Sequence, residues 1–206
     1  QRETIEKCQL MTSFRGRFRS TSTSLSVIES ERMVIRVLDP SQAEMMVKFR
    51  NENREFLTQW EPARSSEYYT PAFWQVQLRM ALRQFREQSH LSFTMLNKAE
   101  TEVLGVCNYS NIVRGTFQSC HLGYATAEKH QSQGYMAEAI NASLGYVFNE
   151  LNLHRVMANY MPRNARSGDL LARLGFTVEG KASQYLQING VWEDHVLTSR
   201  INPKDQ

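Results

Sequence analysis

At 206 residues, with 41% hydrophobic and 22% charged residues, the chain is long enough for one well-buried core and short for two. No run approaches the roughly 20 apolar residues of a membrane span, and the N-terminal stretch lacks the apolar block of a secretory signal, so a cytoplasmic protein without a membrane partner is expected. The net charge of +3 is carried by residues 1–28, where Arg2, Lys7, Arg15, Arg17 and Arg19 face only Glu3 and Glu6; Cys8, Cys107 and Cys120 are too scattered for a disulfide framework or a zinc site.

In chain order, "SFRGRFRSTSTS" has no sustained period, so residues 1–28 read as a basic, Ser/Thr-rich flexible leader ahead of a domain at 29–201 and a short tail at 202–206. A basic leader can track RNA phosphates, and it can equally be a solvated tail; both readings stay open. "MVIRVL" predicts a strand, closed by Asp39 and Pro40, with a helix starting at Ser41. Helices are predicted over 42–53 and 71–88, the second with Trp74, Leu78, Ala81, Leu82 and Phe85 on one face and Arg79, Arg83 and Arg86 on another. "LSFTML", "EVLGVCNYSNI" and "SCHLGYATA" read as an antiparallel meander. A helix opening at Gly134 carries Met136, Ile140, Leu144 and Val147 on one stripe, followed by the strand "HRVMANY" and a helix from Asn164 that Gly175 stops. "YLQI" and "VWEDHVLTS" flank Asn189-Gly190, a tight hairpin turn. The fold class is mixed α and β.

The segment "KHQSQGYMAEAI" places a polar loop and Gly134 between a strand and a helix, so several unpaired backbone N–H groups converge at a helix N-terminus. A phosphate site and an ordinary cap both satisfy that pattern. It is neither a Walker loop nor a Rossmann fingerprint, since the required Lys and the additional glycines are missing.

Gln131-Ser132-Gln133-Gly134 resembles the first four positions of the Gln/Arg-x-x-Gly-x-Gly/Ala loop of the GCN5-related N-acetyltransferases (GNAT), with Met136 where that family has a small residue. "ENREFLTQWEP", "NYSNIVRG", "LGY", "ANYMPRNARSGDLLARLGF" and "EDHVLTS" extend the likeness over about residues 30 to 200, toward the branch that acetylates the N-termini of ribosomal proteins. The resemblance implies a splayed, mostly antiparallel sheet flanked by helices, gripping acetyl-CoA between its fourth and fifth strands, "SCHLGYATA" and "HRVMANY". It implies cofactor contacts from Tyr124, Ala125 and Thr126, from Gln131, Ser132, Gln133, Gly134, Tyr135 and Met136, and from Asn159, Asn164 and Ser167. The implied acceptor is the N-terminal alanine of a ribosomal protein, free or on the small ribosomal subunit. A small-molecule amine, or a ribosome-assembly role with a vestigial CoA site, are the rival readings.

Acetyl transfer requires a neutral amine, a polarised carbonyl and a stabilised thiolate. A backbone N–H near Tyr124 or Ala125 is the expected carbonyl donor, and Ser167 the expected acid for the thiolate. Tyr124 and Tyr160 are candidate pocket walls. Glu61, held in "WEP" over the acceptor side, ranks ahead of His195 as general base, with Asp194 beside it.

Overall fold

The computed structural model of the chain describes residues 17–20 and 26–205. The strands in order are β1 (Arg17–Ser20), β2 (Ser26–Glu29), β3 (Met33–Arg36), β4 (Leu91–Asn97), β5 (Val103–Val113), β6 (Ser119–Thr126), β7 (Arg155–Tyr160), β8 (Thr177–Ile188) and β9 (Val191–Ile201). The helices are α1 (Ala43–Glu52), α2 (Arg54–Thr58), α3 (Pro71–Arg86), α4 (Tyr135–Asn149) and α5 (Ala165–Arg173), joined by short 3-10 turns. Among the described residues the strands form one sheet in the order β1-β2-β3-β4-β5-β6-β7-β9-β8.

Pairing is antiparallel throughout except between β6 and β7, where the α4 crossover makes the pair parallel. The expected meander is β4-β5-β6, and the expected closing hairpin is β8-β9 around Asn189 and Gly190, both at positive φ. The expected leader is corrected in part: β1 and β2 lie within residues 17–29, so the boundary drawn at residue 28 falls inside β2. Arg2, Lys7 and Arg15 lie outside the described residues. These two added strands make "SCHLGYATA" and "HRVMANY" the sixth and seventh strands, not the fourth and fifth.

Period-two alternation divides the buried side chains between the two faces of the sheet. Phe93, Met95, Cys107 and Tyr109 face one core with Ile140, Leu144 and Val147 of α4, while Val34, Leu96, Val103 and Val106 meet Met46, Phe49 and Leu78 of α1 and α3 on the other. The 3-10 turn Pro40–Gln42 that leads into α1 is set by a capping box, in which Ser41 N–H donates to Asp39 Oδ1 at 2.9 Å and Asp39 N–H to Gln42 Oε1 at 3.1 Å. Pro71 opens α3 after the cap residue Thr70, whose Oγ1 accepts from Phe73 N–H. The Arg stripe on α3 is a solvated face: Arg83 pairs with Glu87 at 2.7 Å across one turn, and Arg79 and Arg86 are exposed.

Close strand packing under the future site depends on Gly105 of β5, where an added Cβ would lie 2.5 Å from the Ala125 carbonyl and 3.1 Å from Met95 Sδ. Gly105→Ala is expected to destabilise the fold by about 1–3 kcal/mol, since backbone must shift. Gly123→Ala, with nothing within 4 Å of the new methyl, should leave the thermal midpoint nearly unchanged. Thermal unfolding followed by circular dichroism reads both, and equal midpoints would remove the packing argument.

Candidate active site

The β6–β7 pair is short. Ser119, Cys120 and His121 lie opposite Arg155, Val156 and Met157, and there the register stops, although β6 runs on to Thr126 and β7 to Tyr160. β7 pairs with β9 along all six of its residues, and β6 continues against β5, so the two strands diverge. A cavity of about 450 Å³ opens at this fork, lined by Tyr124, Ala125 and Thr126 of β6, the 130–137 turn, Asn164, Ser167 and Leu170 of α5, and Phe56, Leu57, Trp60 and Glu61.

Alternation along β6 settles which backbone groups face the gap. Ala127 N–H donates to Leu104 O of the β5 side at 2.9 Å, and the Ala125 carbonyl crowds Gly105. The odd-numbered residues therefore spend their polar groups on β5, and Tyr124 and Thr126 turn theirs toward the cavity. Of the two expected carbonyl donors, Tyr124 has the right orientation and Ala125 does not. Thr126 O already accepts from Gln131 Nε2 at 3.1 Å, which ties the loop to the strand end.

The loop itself holds two residues in the left-handed region, Ser132 at φ 61° and Gly134 at φ 80°, and Gly134 is the residue at which α4 begins. Met136, the departure from the family pattern, sends its side chain into the core, 7% exposed, with Sδ 3.8 Å from Cys107 Sγ. Its size therefore does not obstruct the loop. Gln133 turns its side chain back to Lys129 O at 2.9 Å and does not line the cavity.

Residues that no single motif joins hold this loop. Arg32, in the β2–β3 turn, donates from its backbone N–H and Nε to the two Glu138 carboxylate oxygens at 2.9 and 2.7 Å, and from Nη1 to Gln133 O at 2.9 Å, while its guanidinium lies 4.4 Å over Tyr135. Burial pushes the Glu138 carboxyl upward, and the hydrogen bonds and charge of Arg32, with Ser30, more than reverse it. Buried Asn53 accepts from Glu128 N–H at 2.7 Å. Glu102 receives Lys129 Nζ at 2.6 Å and His130 Nε2 at 2.9 Å, which lowers its pKa.

Across the fork, Asn164 Oδ1 accepts from Ser167 N–H at 3.2 Å and caps α5, leaving the serine hydroxyl free for another partner. That partner is Tyr124: its Oη lies 2.6 Å from Ser167 Oγ. Burial pushes the Tyr124 phenol up to about 12, so it is a protonated donor throughout the physiological range. Tyr160 does not wall the cavity; its ring lies against Gly168 of α5, 2.9 Å from where a Cβ would stand.

Two further expectations are corrected. His195 is buried on β9 with Nδ1 3.0 Å from Glu193 O and its ring beside Tyr185, away from the cavity. Asn159 donates to Tyr185 Oη at 3.3 Å and accepts from Thr198 N–H, so it serves the β7-β9-β8 side of the fork and not the cavity lining. Asp194 pairs with Lys181 at 3.1 Å on the same hairpin. Glu61 does line the cavity, with Oε1 2.9 Å from Arg50 Nη1 and Oε2 3.8 Å from Arg64 Nη2.

Comparison with known proteins matches the fold. The acetyltransferase (GNAT) domain family matches residues 32–177. The chain is 44% identical over 176 residues to the ribosomal protein uS5-alanine N-acetyltransferase of Escherichia coli, covering 85% of this chain and 91% of that one. The crystal structure of a ribosomal-protein alanine acetyltransferase from Vibrio fischeri superposes with a TM-score of 0.83 at 38% identity, over 87% of this chain and 98% of that one. A Mycobacterium smegmatis RimJ solved with CoA-disulfide shares the fold at a TM-score of 0.77 and 24% identity, over 87% of this chain and 86% of that one. The strand fork, the loop at the head of α4 and these matches together make the chain a member of the GNAT acetyltransferase family.

Proposed function

We propose that the chain transfers the acetyl group of acetyl-CoA to the N-terminal alanine of a small-subunit ribosomal protein. The observation that carries the chemistry is the Tyr124–Ser167 hydroxyl pair, 2.6 Å apart at the fork of β6 and β7. The choice of acceptor is supported by the 44% identity to the E. coli enzyme across nearly the whole of both chains. The basic residues of 1–28 suit a phosphate contact when that acceptor sits on the ribosomal subunit.

In this reading the Gln131–Met136 turn receives the pyrophosphate of acetyl-CoA on the N–H groups at the head of α4, helped by the helix dipole. Arg166 and Arg173, exposed on α5 at the rim of the cavity, add positive charge there. The gap-facing N–H of Tyr124 meets the thioester oxygen where negative charge develops. The Tyr124 phenol donates to the departing sulfur, and Ser167 orients it. An ordinary thiol has a pKa of about 8.5, so the phenol at about 12 is the weaker acid: it keeps its proton and stabilises the departing thiolate by a hydrogen bond, and the thiolate's charge is balanced by the proton the amine releases. Here Ser167 is the partner of that donor and holds the phenol in place.

The acceptor amine enters from the side of Phe56, Trp60 and Glu61. An α-amino group titrates at about 7.7 to 8.0, so a substantial fraction is already neutral near pH 7, and Glu61 takes up the remaining proton, directly or through water. Its ion pair with buried Arg50 keeps that carboxylate in one position.

Tyr124→Phe should lower kcat by about 10²-fold or more while CoA affinity stays within a few-fold, and Ser167→Ala should cost less because the phenol remains. The high pKa of the phenol predicts no basic limb in wild-type kcat from this group up to about pH 10. Full single-turnover activity in Tyr124→Phe would sink the assignment.

Gly134→Val should weaken CoA binding strongly, as read by calorimetry. The left-handed φ of 80° strains any side chain, and the new Cβ would stand 3.4 Å from Arg32 Nη2. Unchanged affinity in a folded variant would rule out the phosphate turn.

For Glu61→Gln, kcat/KM with an alanine-initiated peptide should fall at neutral pH, and the deficit should shrink above about pH 8 as neutral amine becomes abundant. A loss uniform in pH would make Glu61 an anchor. A mass-spectrometric screen of N-terminal peptides against small amines tests the acceptor class, with turnover confined to small amines as the contrary result.

A further inference from the structure

A second cavity, of about 210 Å³, lies behind the amine side of the first and shares Leu57 and Glu61 with it. Arg50, Arg54, Arg64, Tyr68 and Tyr69 complete most of its wall, and the β8–β9 turn reaches it through Asn189, whose N–H donates to Glu61 O at 3.1 Å. Three guanidinium groups therefore face one carboxylate.

We propose that this cavity is a subsite for a carboxylate side chain of the acceptor polypeptide, close behind its reactive N-terminus. The inference rests on the peptide-acceptor reading above. Arg50 is 7% exposed, gives Nη1 to Glu61, and has its buried Nε without a partner. The guanidinium carbons of Arg54 and Arg64 stand over the Tyr69 and Tyr68 rings at 4.2 and 4.6 Å, and a guanidinium held against a ring still has N–H groups to give an anion. Among the described residues no carboxylate pairs with Arg54, and Arg64 has only the 3.8 Å contact to Glu61. The wall carries a surplus of positive charge that Glu61 offsets in part.

The size and the walls favour a carboxylate over a nucleic-acid phosphate. The cavity is small, aromatic on one side and contains Glu61, which repels a phosphodiester backbone as it does any anion but leaves room for one bidentate carboxylate on Arg54. Leu57 and Glu61 line both cavities, and an extended chain advances about 3.3 Å per residue, so an acidic side chain within the first few residues after the amine reaches from one to the other.

The test is a series of alanine-initiated peptides carrying a single Glu, or Gln at the same place, at each of the next few positions, assayed for kcat/KM with wild type, Arg54→Gln and Arg54→Lys. At one position Glu is expected to exceed Gln by about tenfold, the size of one charge-assisted bond, with the gain lost in Arg54→Gln, partly kept in Arg54→Lys and reduced by salt. The Gln peptides should be turned over equally by all three proteins. Turnover indifferent to Glu at every position, or a preference that survives Arg54→Gln, overturns the subsite alone. Indifference to Glu combined with Arg54-dependent inhibition by a short single-stranded RNA would assign the cavity to phosphate instead. No turnover of any peptide overturns the acceptor reading and the subsite together.

Discussion

The parting of β6 and β7 is the constraint on which the site depends. A buried strand edge must have partners for its N–H and C=O groups, and from Leu122 onward β6 has lost β7 on one side while β5 still holds the other. Thr126 O is satisfied by Gln131, so the free edge shortens to the region of Tyr124. What enters the gap meets backbone groups that strand parity already aims at it. Helix α5 packs close to β7, so that a Cβ added at Gly168 would stand 2.9 Å from the Tyr160 ring. The same helix delivers Asn164 and Ser167 to the opposite wall.

The loop across the fork is braced before any ligand arrives. Arg32 clamps its end to α4 through Glu138, Asn53 fixes its beginning at Glu128, and Glu102 holds Lys129 and His130 between them. Each brace comes from a different element, so the two left-handed residues, Ser132 and Gly134, are over-determined by their surroundings. A loop already ordered gives up less conformational entropy on binding, which raises affinity without adding contacts.

This division also explains what was readable in the sequence. α3 and α4 announce themselves by three- and four-residue spacing, and β4, β5 and β6 by apolar alternation, because these elements bury one face. β8 is longer than "YLQI" predicts, since as the sheet's edge it is exposed along nearly its whole length and carries little apolar signal. β1 and β2 are four residues each and were hidden by the Ser, Thr and Arg around them. In the site, Gly134, Ser132, Asn164, Ser167 and Tyr124 lie in local motifs and were legible. Arg32 and Glu138 are 106 positions apart, and Asn53 and Glu128 are 75 apart, so no local pattern joins them. His195 was misplaced for another reason: strand residues alternate faces, and the β8–β9 register shifts twice, so parity there is not fixed by counting, while Asn159, on the regular β7, spends its amide on Tyr185 and Thr198.

Met136 and Tyr124 illustrate the same separation of backbone from side chain. At Met136 the long side chain leaves for the core beside Cys107, so a departure from the family's small residue alters packing there. At Tyr124 both parts face the fork, the backbone by strand parity and the phenol toward Ser167. Burial raises the phenol's pKa, which makes it a poorer acid in water's terms but secures that it is protonated when a thiolate forms. Ser167 then matters through geometry: with its own N–H capped by Asn164, its oxygen fixes the phenol's position across the gap between β6 and α5. The phenol of β6 is thus held from α5, on the far wall of the cavity that the parting of β6 and β7 opens.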